Sequence, residues 1–500
     1  MSDHPITDHG AVADAQTLNH DAINRLIASV SAAGGGRVVV PCGVFLAGTI
    51  ELKSNVTLHL EEGAVLLGSP NLADYQSRVW GHHDDISPWH FILAEDQHHI
   101  ALTGRGTIRG NGPAFWEPTR RDEWSFFIAR KRERPSPMIE IVRCRHVLID
   151  GIRIEESPGW TLHGHDCDHL RIEGITIRNT NFGPNVDGID LTGCHDAIIH
   201  GCDIDTGDDA IALKSSEYSR SVERIAISDC ILRTSCVGVR IGYESREDFR
   251  DIVITNLVIP RCTRVFDLRA VEGCTIERVR ITNIVASTDG GWPATRAIEL
   301  VQLDRPNVYK DLLPPEHPDY GKDKPLTRPS IIRDVSFTGL DITTDGRIHL
   351  IGKPGQPIEG VRFSDLRLRY PVLDDFRPFR NAQSTGFIPG DYAETRSANA
   401  AFVLHHVRDL EIEGLRLRWP TYPVTTSWRM FESTNARLST YWHGNVEKIR
   451  AGELRAPYHL VWARDAEARV SGRQLHASEP GLPAIDADPG SRVTLQDNFA

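Results

Sequence analysis

Apolar and polar residues alternate over three or four positions, break at a Gly, Asp or Asn, and then alternate again; this double unit recurs along the chain. Cys144–Ile154 and Cys167–Ile177 match almost position for position. Cys194–Ile204, Val222–Leu232 and Phe249–Ile259 follow, with starts 23, 27, 28 and 27 residues apart. Fainter copies run over Val279–Val285, Val335–Ile342, Val361–Leu368 and Leu410–Leu417. Period two is the period of strands, and no ten-residue helical pattern separates them. A fixed repeat of this length means stacked units, each too small to bury its own apolar face. The pattern predicts an all-β chain folded as a single-stranded right-handed parallel β-helix (a solenoid).

A stack of this kind needs its ends covered. Residues 18–34 supply an N-terminal cap helix, over about Asp21 to Ala33, with Asn19 as its cap and Ala22, Leu26 and Val30 on one face. Gly34, Gly35 and Gly36 stop it. Arg37–Pro41, Thr49–Leu52 and Val56–Leu60 read as early strands. Three stretches interrupt the repeat and are expected as long side loops: 116–137, 306–328 and 376–399. The first carries Arg120, Arg121, Arg130, Lys131, Arg132 and Arg134 beside Trp116 and Trp124. Such insertions often wall a binding groove. No linker is evident, so 1–500 reads as one domain with an irregular end over 440–500.

Composition narrows the function. A net charge of −12 argues against nucleic acid as a partner. It leaves room for an acidic substrate in a local basic cleft. No stretch approaches the 18 apolar residues of a membrane span, and the polar N-terminus has no apolar run of a secretory signal. Nine cysteines, an odd number without CxxC spacing, read as reduced thiols rather than disulfides or a zinc site. Cys144, Cys167 and Cys194 hold one repeat position and should stack. The expectation is a cytoplasmic monomer or weak homo-oligomer, with no membrane partner, cofactor or metal.

Candidate chemistry lies in two short segments. Asn185-Val-Asp-Gly188 precedes one repeat, and Gly207-Asp-Asp-Ala210 places Asp208 21 residues after Asp187, about one coil on. Coils stack about 4.8 Å apart, so Asp187, Asp208 and Asp209 are expected to share a site. Crowded carboxylates cannot all ionise cheaply. One protonated carboxyl beside carboxylates that activate water is what glycoside hydrolysis requires. Asp and Asn also close β-helix turns, which is the plain reading of an isolated Asp168 or Asp196.

At these residues the chain resembles glycoside hydrolase family 28, the polygalacturonase family. The resemblance includes His9-Gly-Ala-Val12, Gly34–Pro41, Gly48–Lys53, Leu58–Ala64, Gly104–Ile108, Gly110–Trp116 and Ser157-Pro-Gly-Trp160. Asn185-Val-Asp187 stands where the family has Asn-Thr-Asp, and Gly207-Asp208-Asp209 matches its paired-aspartate motif. The resemblance implies an inverting hydrolase without metal, with Asp208 as general acid and Asp187 and Asp209 activating water. Two motifs depart from the family. Val237 stands at the histidine of Gly-His-Gly, and Asp267-Leu-Arg269 at Arg-Ile-Lys, which points to an altered sugar next to the cut. His163, His165 and His195 are the nearest histidines but belong to earlier coils.

Arg240 and Arg269 are candidates for gripping an anionic sugar, since guanidinium binds carboxylate through two parallel bonds. Asn185, Lys214, Tyr243 and Glu244 complete the expected substrate-binding set, and Trp116 and Trp124 are possible ring platforms. The expected substrate is a pectin-derived or related, uronic-acid-containing oligosaccharide cut from a chain end. Alternatives on the same scaffold are a polysaccharide lyase or epimerase, and a non-catalytic carbohydrate-binding β-helix.

Overall fold

The computed structural model describes residues 2–78, 87–121, 128–130, 133–181, 183–216, 218–288, 296–304, 322, 325–344, 346–370, 394–395, 398, 400–419, 458–478 and 480–497. Trp124, Lys131, Arg132, most of 306–328 and 376–399, and residues 440–457 lie outside them. The chain divides into two compact units. The first comprises the described residues up to Leu232 with Arg246–Asp248, Lys322 and Pro325. The second comprises Arg233–Ser245, Phe249–Asp304 and the described residues from Leu326 onward. Parallel β-helix coils, right-handed as the repeat predicted, build both.

In the first unit the cap helix α1 spans His20–Ala32. It buries Ile23, Leu26, Ile27 and Val30, spaced i, i+3, i+4 and i+7 as one helix face requires. Ala22 is only half-buried and is not part of that face. Asn19 precedes the helix but makes no side-chain cap bond. Its amide accepts from Val12 N at 2.7 Å and donates to Thr17 O and Leu46 O, tying the helix to neighbouring backbone. Gly34 and Gly35 follow at φ 101 and 110, the left-handed region that ends a helix.

Five strands form one ladder of the first unit: β1 (Ile92–Glu95), β2 (Ile139–Val142), β3 (Leu162–His165), β4 (Ile189–Thr192) and β5 (Ile211–Ser215). They pair in parallel, with Leu93, Glu140, His163, Asp190 and Ala212 in one file and Glu95, Val142, His165, Thr192 and Lys214 in another. The neighbouring ladder, Arg145–Asp150, Asp168–Glu173, His195–His200 and Val222–Ser228, alternates buried with exposed residues, as a half-solvated sheet does. In β2, β4 and β5, by contrast, every residue is buried. The file through Glu140, His163 and Asp190 is therefore covered, and this face carries the candidate site.

The turn entering each repeat holds a non-glycine residue at positive φ: His146 (55), His169 (54), Asp196 (55) and Arg224 (57). Asp tolerates this region; His and Arg adopt it at a cost of about 1–2 kcal/mol. Stacking offsets part of that cost, with ring centroids 4.6 Å apart for His99 and His146 and 4.8 Å for His146 and His169. Cys144, Cys167 and Cys194 follow one another as expected, each bonding a backbone carbonyl at 3.2 Å. None of the nine cysteines forms a disulfide.

The segment read as a side loop after Trp116 contains an antiparallel ribbon, Trp116–Arg121 against Ile128–Arg130. Within it Trp116 is buried and its indole N–H bonds Pro158 O at 2.9 Å, so its ring packs inward rather than facing a ligand.

In the second unit the corresponding strands are β6 (Val237–Ser245), β7 (Arg264–Ala270), β8 (Arg296–Gln302) and β9 (Arg347–Ile351). They bring Arg240, Asp267, Glu299 and His349 into one file. Strands also occupy part of the end expected to be irregular. His459–Arg473 pairs with Ala400–Arg418, and Ile485–Ala487 and Arg492–Asp497 pair with it in turn. Its buried positions include Ala463, Ala466 and Ala468, small side chains that give a weak alternation signal. Among the described residues no helix is long and apolar enough to cross a membrane.

Candidate active site

The two aspartate segments meet as neighbouring coils of the first unit. Gly188 N donates to Asp209 O at 2.8 Å, Ile189 N to Ala210 O at 3.1 Å, and Asp208 N to Val186 O at 3.4 Å. The Thr206 hydroxyl also bonds Val186 O. Gly188 is required by this approach, because a Cβ there would lie 2.4 Å from Ala210 O. Asn185 turns the chain at φ 49, a conformation Asn tolerates better than most residues. These constraints aim Asp187, Asp208 and Asp209 from one short stretch of stacked backbone.

Asp187 and Asp209 are buried, at 3% exposure each, whereas Asp208 is half-buried. Asp208 Oδ1 accepts from Asp209 N at 2.9 Å, which orients its carboxyl. Burial pushes the Asp187 carboxyl well above the usual range; Asp190 and Asp208 push it further, and Lys214 opposes them. Asp187 Oδ1 is enclosed without a hydrogen-bond partner. Lys214 Nζ lies 3.9 Å from Asp187 Oδ2, 3.6 Å from Asp190 Oδ1 and 4.1 Å from the centroid of Trp160. A proton-holding carboxyl among other carboxylates, with its counter-ion at hand, can exchange protons with a bound water or a leaving oxygen.

Two parts of this arrangement escaped the sequence reading. Asp190 is fully buried three residues after Asp187, and its only signal was an acidic residue inside a strand buried on both faces. His163 stands between Glu140 and Asp190 in the same file. Its ring bonds Glu140 Oε2 at 2.8 Å and Thr192 Oγ1 at 2.9 Å. Burial raises Glu140 to about 7, against the lowering pull of His90 and His165.

In the second unit Arg240 and Arg269 are buried and already engaged. Arg240 Nη1 donates to Asp267 Oδ2 at 2.8 Å, and Arg269 Nε to Asp267 Oδ1 at 2.8 Å. Arg269 Nη2 reaches Glu299 Oε2 at 2.5 Å, and Arg264 Nε lies 3.2 Å from the same atom. The two-pronged grip expected of Arg269 is therefore made on protein carboxylates. Burial works to raise Glu299, but Arg269, the nearby His349 ring, Arg264 and Arg296 outweigh it and hold the carboxyl well below the usual range. Tyr243 sits at φ 76 with its ring 5.7 Å from the Arg240 guanidinium carbon, and Glu244 is buried. Val237, at the family's histidine, is an enclosed apolar side chain.

The family model "Glycosyl hydrolases family 28" matches residues 31–287, just over half of the chain and inclusive of all three aspartates. A "Probable polygalacturonase" of Vitis vinifera is 28% identical over 272 residues, 51% of this chain and 54% of the relative. The chain spans a little over half the length of the first curated relatives it matches. An exopolygalacturonase from Thermotoga maritima superposes with a TM-score of 0.59 at 25% identity, covering 74% of this chain and 87% of that one. The family 28 exopolygalacturonase of Yersinia enterocolitica shares the fold, with a TM-score of 0.62 at 19% identity over 84% of this chain and 76% of that one. With the repeat, the coil architecture and the stitched aspartate motifs, the model match makes the chain a member of glycosyl hydrolases family 28.

Proposed function

We propose that the protein is an inverting glycoside hydrolase that releases sugar from the end of pectin-derived or related oligosaccharides. The carrying observation is the carboxylate group of the first unit, in which a buried Asp187 tends to keep its proton beside Asp208 and Asp209. Asp208, the most exposed of the three, is the group that can reach a glycosidic oxygen and protonate it. Asp187 and Asp209 take a proton from the attacking water, whose oxygen bonds the anomeric carbon as the bond to the leaving oxygen breaks. The raised carboxyl is assigned as a base rather than as the acid, since carboxylates this close titrate as a group rather than one by one.

Exo action is supported by the covered outer face of the ladder. Glu140, His163 and Asp190 fill the file that leads from the site toward earlier coils, and Trp160 is buried beside them. Among the described residues, this file offers a sugar chain no exposed side chain to lie on. A lyase reading finds less support. Calcium would take oxygen ligands from these aspartates, and the Lys214 ammonium, 3.9 Å from Asp187, repels a cation at that place.

The test is incubation of the purified protein with defined pectic oligosaccharides, following products by proton NMR. Release of a terminal sugar in the inverted anomeric form is the expected result. A product with the ultraviolet absorbance of a new double bond would replace this reading with elimination, and binding without turnover would replace it with a lectin-like role.

A further inference from the structure

Lys214 was expected to bind sugar, yet its surroundings are protein. It lies on β5 in register with Thr192 and His165, and is buried. Its ammonium is held at 3.6 Å from Asp190 and 3.9 Å from Asp187 and rests on the Trp160 ring at 4.1 Å. Lysine is a compact charge with rotatable donors, suited to serving two carboxylates at once, and a desolvated aromatic face adds to the attraction. Asp190 has no access to solvent. A buried carboxylate left without its cation would be strongly unfavourable, so Asp190 and Lys214 stabilise one another in place.

We propose that Lys214, anchored by Asp190 and Trp160, is a positioning residue that holds Asp187 as the water-activating base and does not bind sugar. This rests on the reading of Asp187 as a base. Asp187 is faced by Asp190 from β4, by Lys214 from β5, and by Asp208 and Asp209 from the segment before β5. Lys214 is faced by Asp187, Asp190 and the Trp160 ring, with the Thr192–His163–Glu140 chain behind Asp190. Lys214 pulls toward the ionised form of Asp187, while Asp190 and Asp208 push against it. The base must be ionised to work, so these neighbours set the acidic limb of the rate profile.

The test measures kcat and KM against pH for Lys214→Met, Lys214→Arg, Asp190→Asn and Asp187→Asn, with thermal unfolding of each as the folding control. An opposite charge at this range shifts a carboxylate by about 1–3 pH units. Lys214→Met is therefore expected to move the acidic limb of kcat upward by at least about one unit, with KM within twofold of the parent. Lys214→Arg should return most of the shift, and Asp190→Asn should move the limb the other way. A raised KM with an unmoved limb in Lys214→Met would make Lys214 a sugar ligand and overturn the proposal. Should Lys214→Met fail to fold, an unmoved limb in Asp190→Asn overturns it equally. Full turnover in Asp187→Asn would sink the reading of the site itself, an outcome separate from either.

Discussion

Two buried clusters of charge, one in each unit, lie on equivalent strand ladders but are balanced differently. In the first, Asp187, Asp190, Asp208 and Asp209 gather near Lys214, and burial with mutual repulsion raises Asp187. In the second, Arg240, Arg264 and Arg269 surround Asp267 and Glu299, and Glu299 is held well below its usual range. Stacking in register concentrates like residue types in both. An excess of carboxylates leaves a proton to be moved, whereas matched guanidiniums lock the charges into ion pairs. The first cluster is suited to proton transfer and the second to rigidity.

The largest effect that could break this contrast is catalytic. Asp208→Asn is expected to lower turnover by about 10²–10⁴-fold with little change in unfolding temperature, measured on a pectic oligosaccharide. A variant that keeps its activity would remove the first cluster from the chemistry. The second cluster should answer in stability instead. Arg269→Met leaves Asp267 and Glu299 short of a buried partner and is expected to cost about 3–5 kcal/mol in denaturant unfolding.

A smaller effect sharpens the comparison through pH. Glu140 keeps its proton in the fold up to about 7 but ionises near 4.5 when unfolded. Its contribution is complete below pH 4.5 and lost as pH rises to about 7, by an upper figure of about 3 kcal/mol. Glu140→Gln should flatten that slope in unfolding midpoints taken from pH 4.5 to 7.5. His349 in the second unit is the mirror case. Burial lowers it to about 3, so its contribution is present above pH 6.5 and declines as pH falls. The smallest effect belongs to the exposed Asp196–Arg224 pair, bonded at 2.7 and 3.1 Å; Arg224→Ala should change stability by no more than about 1 kcal/mol.

Legibility followed the range of the interactions. The helix over His20–Ala32 was readable because its apolar spacing and its glycine stop are local, although its inner face proved to include Ile23 and Ile27. The meeting of Asp187 with Asp208 and Asp209 was readable because the repeat length converts sequence separation into coil separation. Asp190 was not, since a strand with both faces buried does not mark an acidic residue as part of a site. The engagement of Arg269 by Asp267 and Glu299 was also hidden. One partner is two residues away and the other thirty, and no local pattern links them.

By itself the sequence determined that this chain stacks parallel coils, where its cap lies, and that three aspartates converge, because period-two alternation and a fixed repeat leave few other solutions. Only the tertiary structure decided which charges cancel. The covering of one ladder face puts Lys214 between Asp187 and Asp190 and closes Arg240 and Arg269 onto carboxylates. Desolvation acts on the enclosed group, and enclosure comes from segments far apart in the chain.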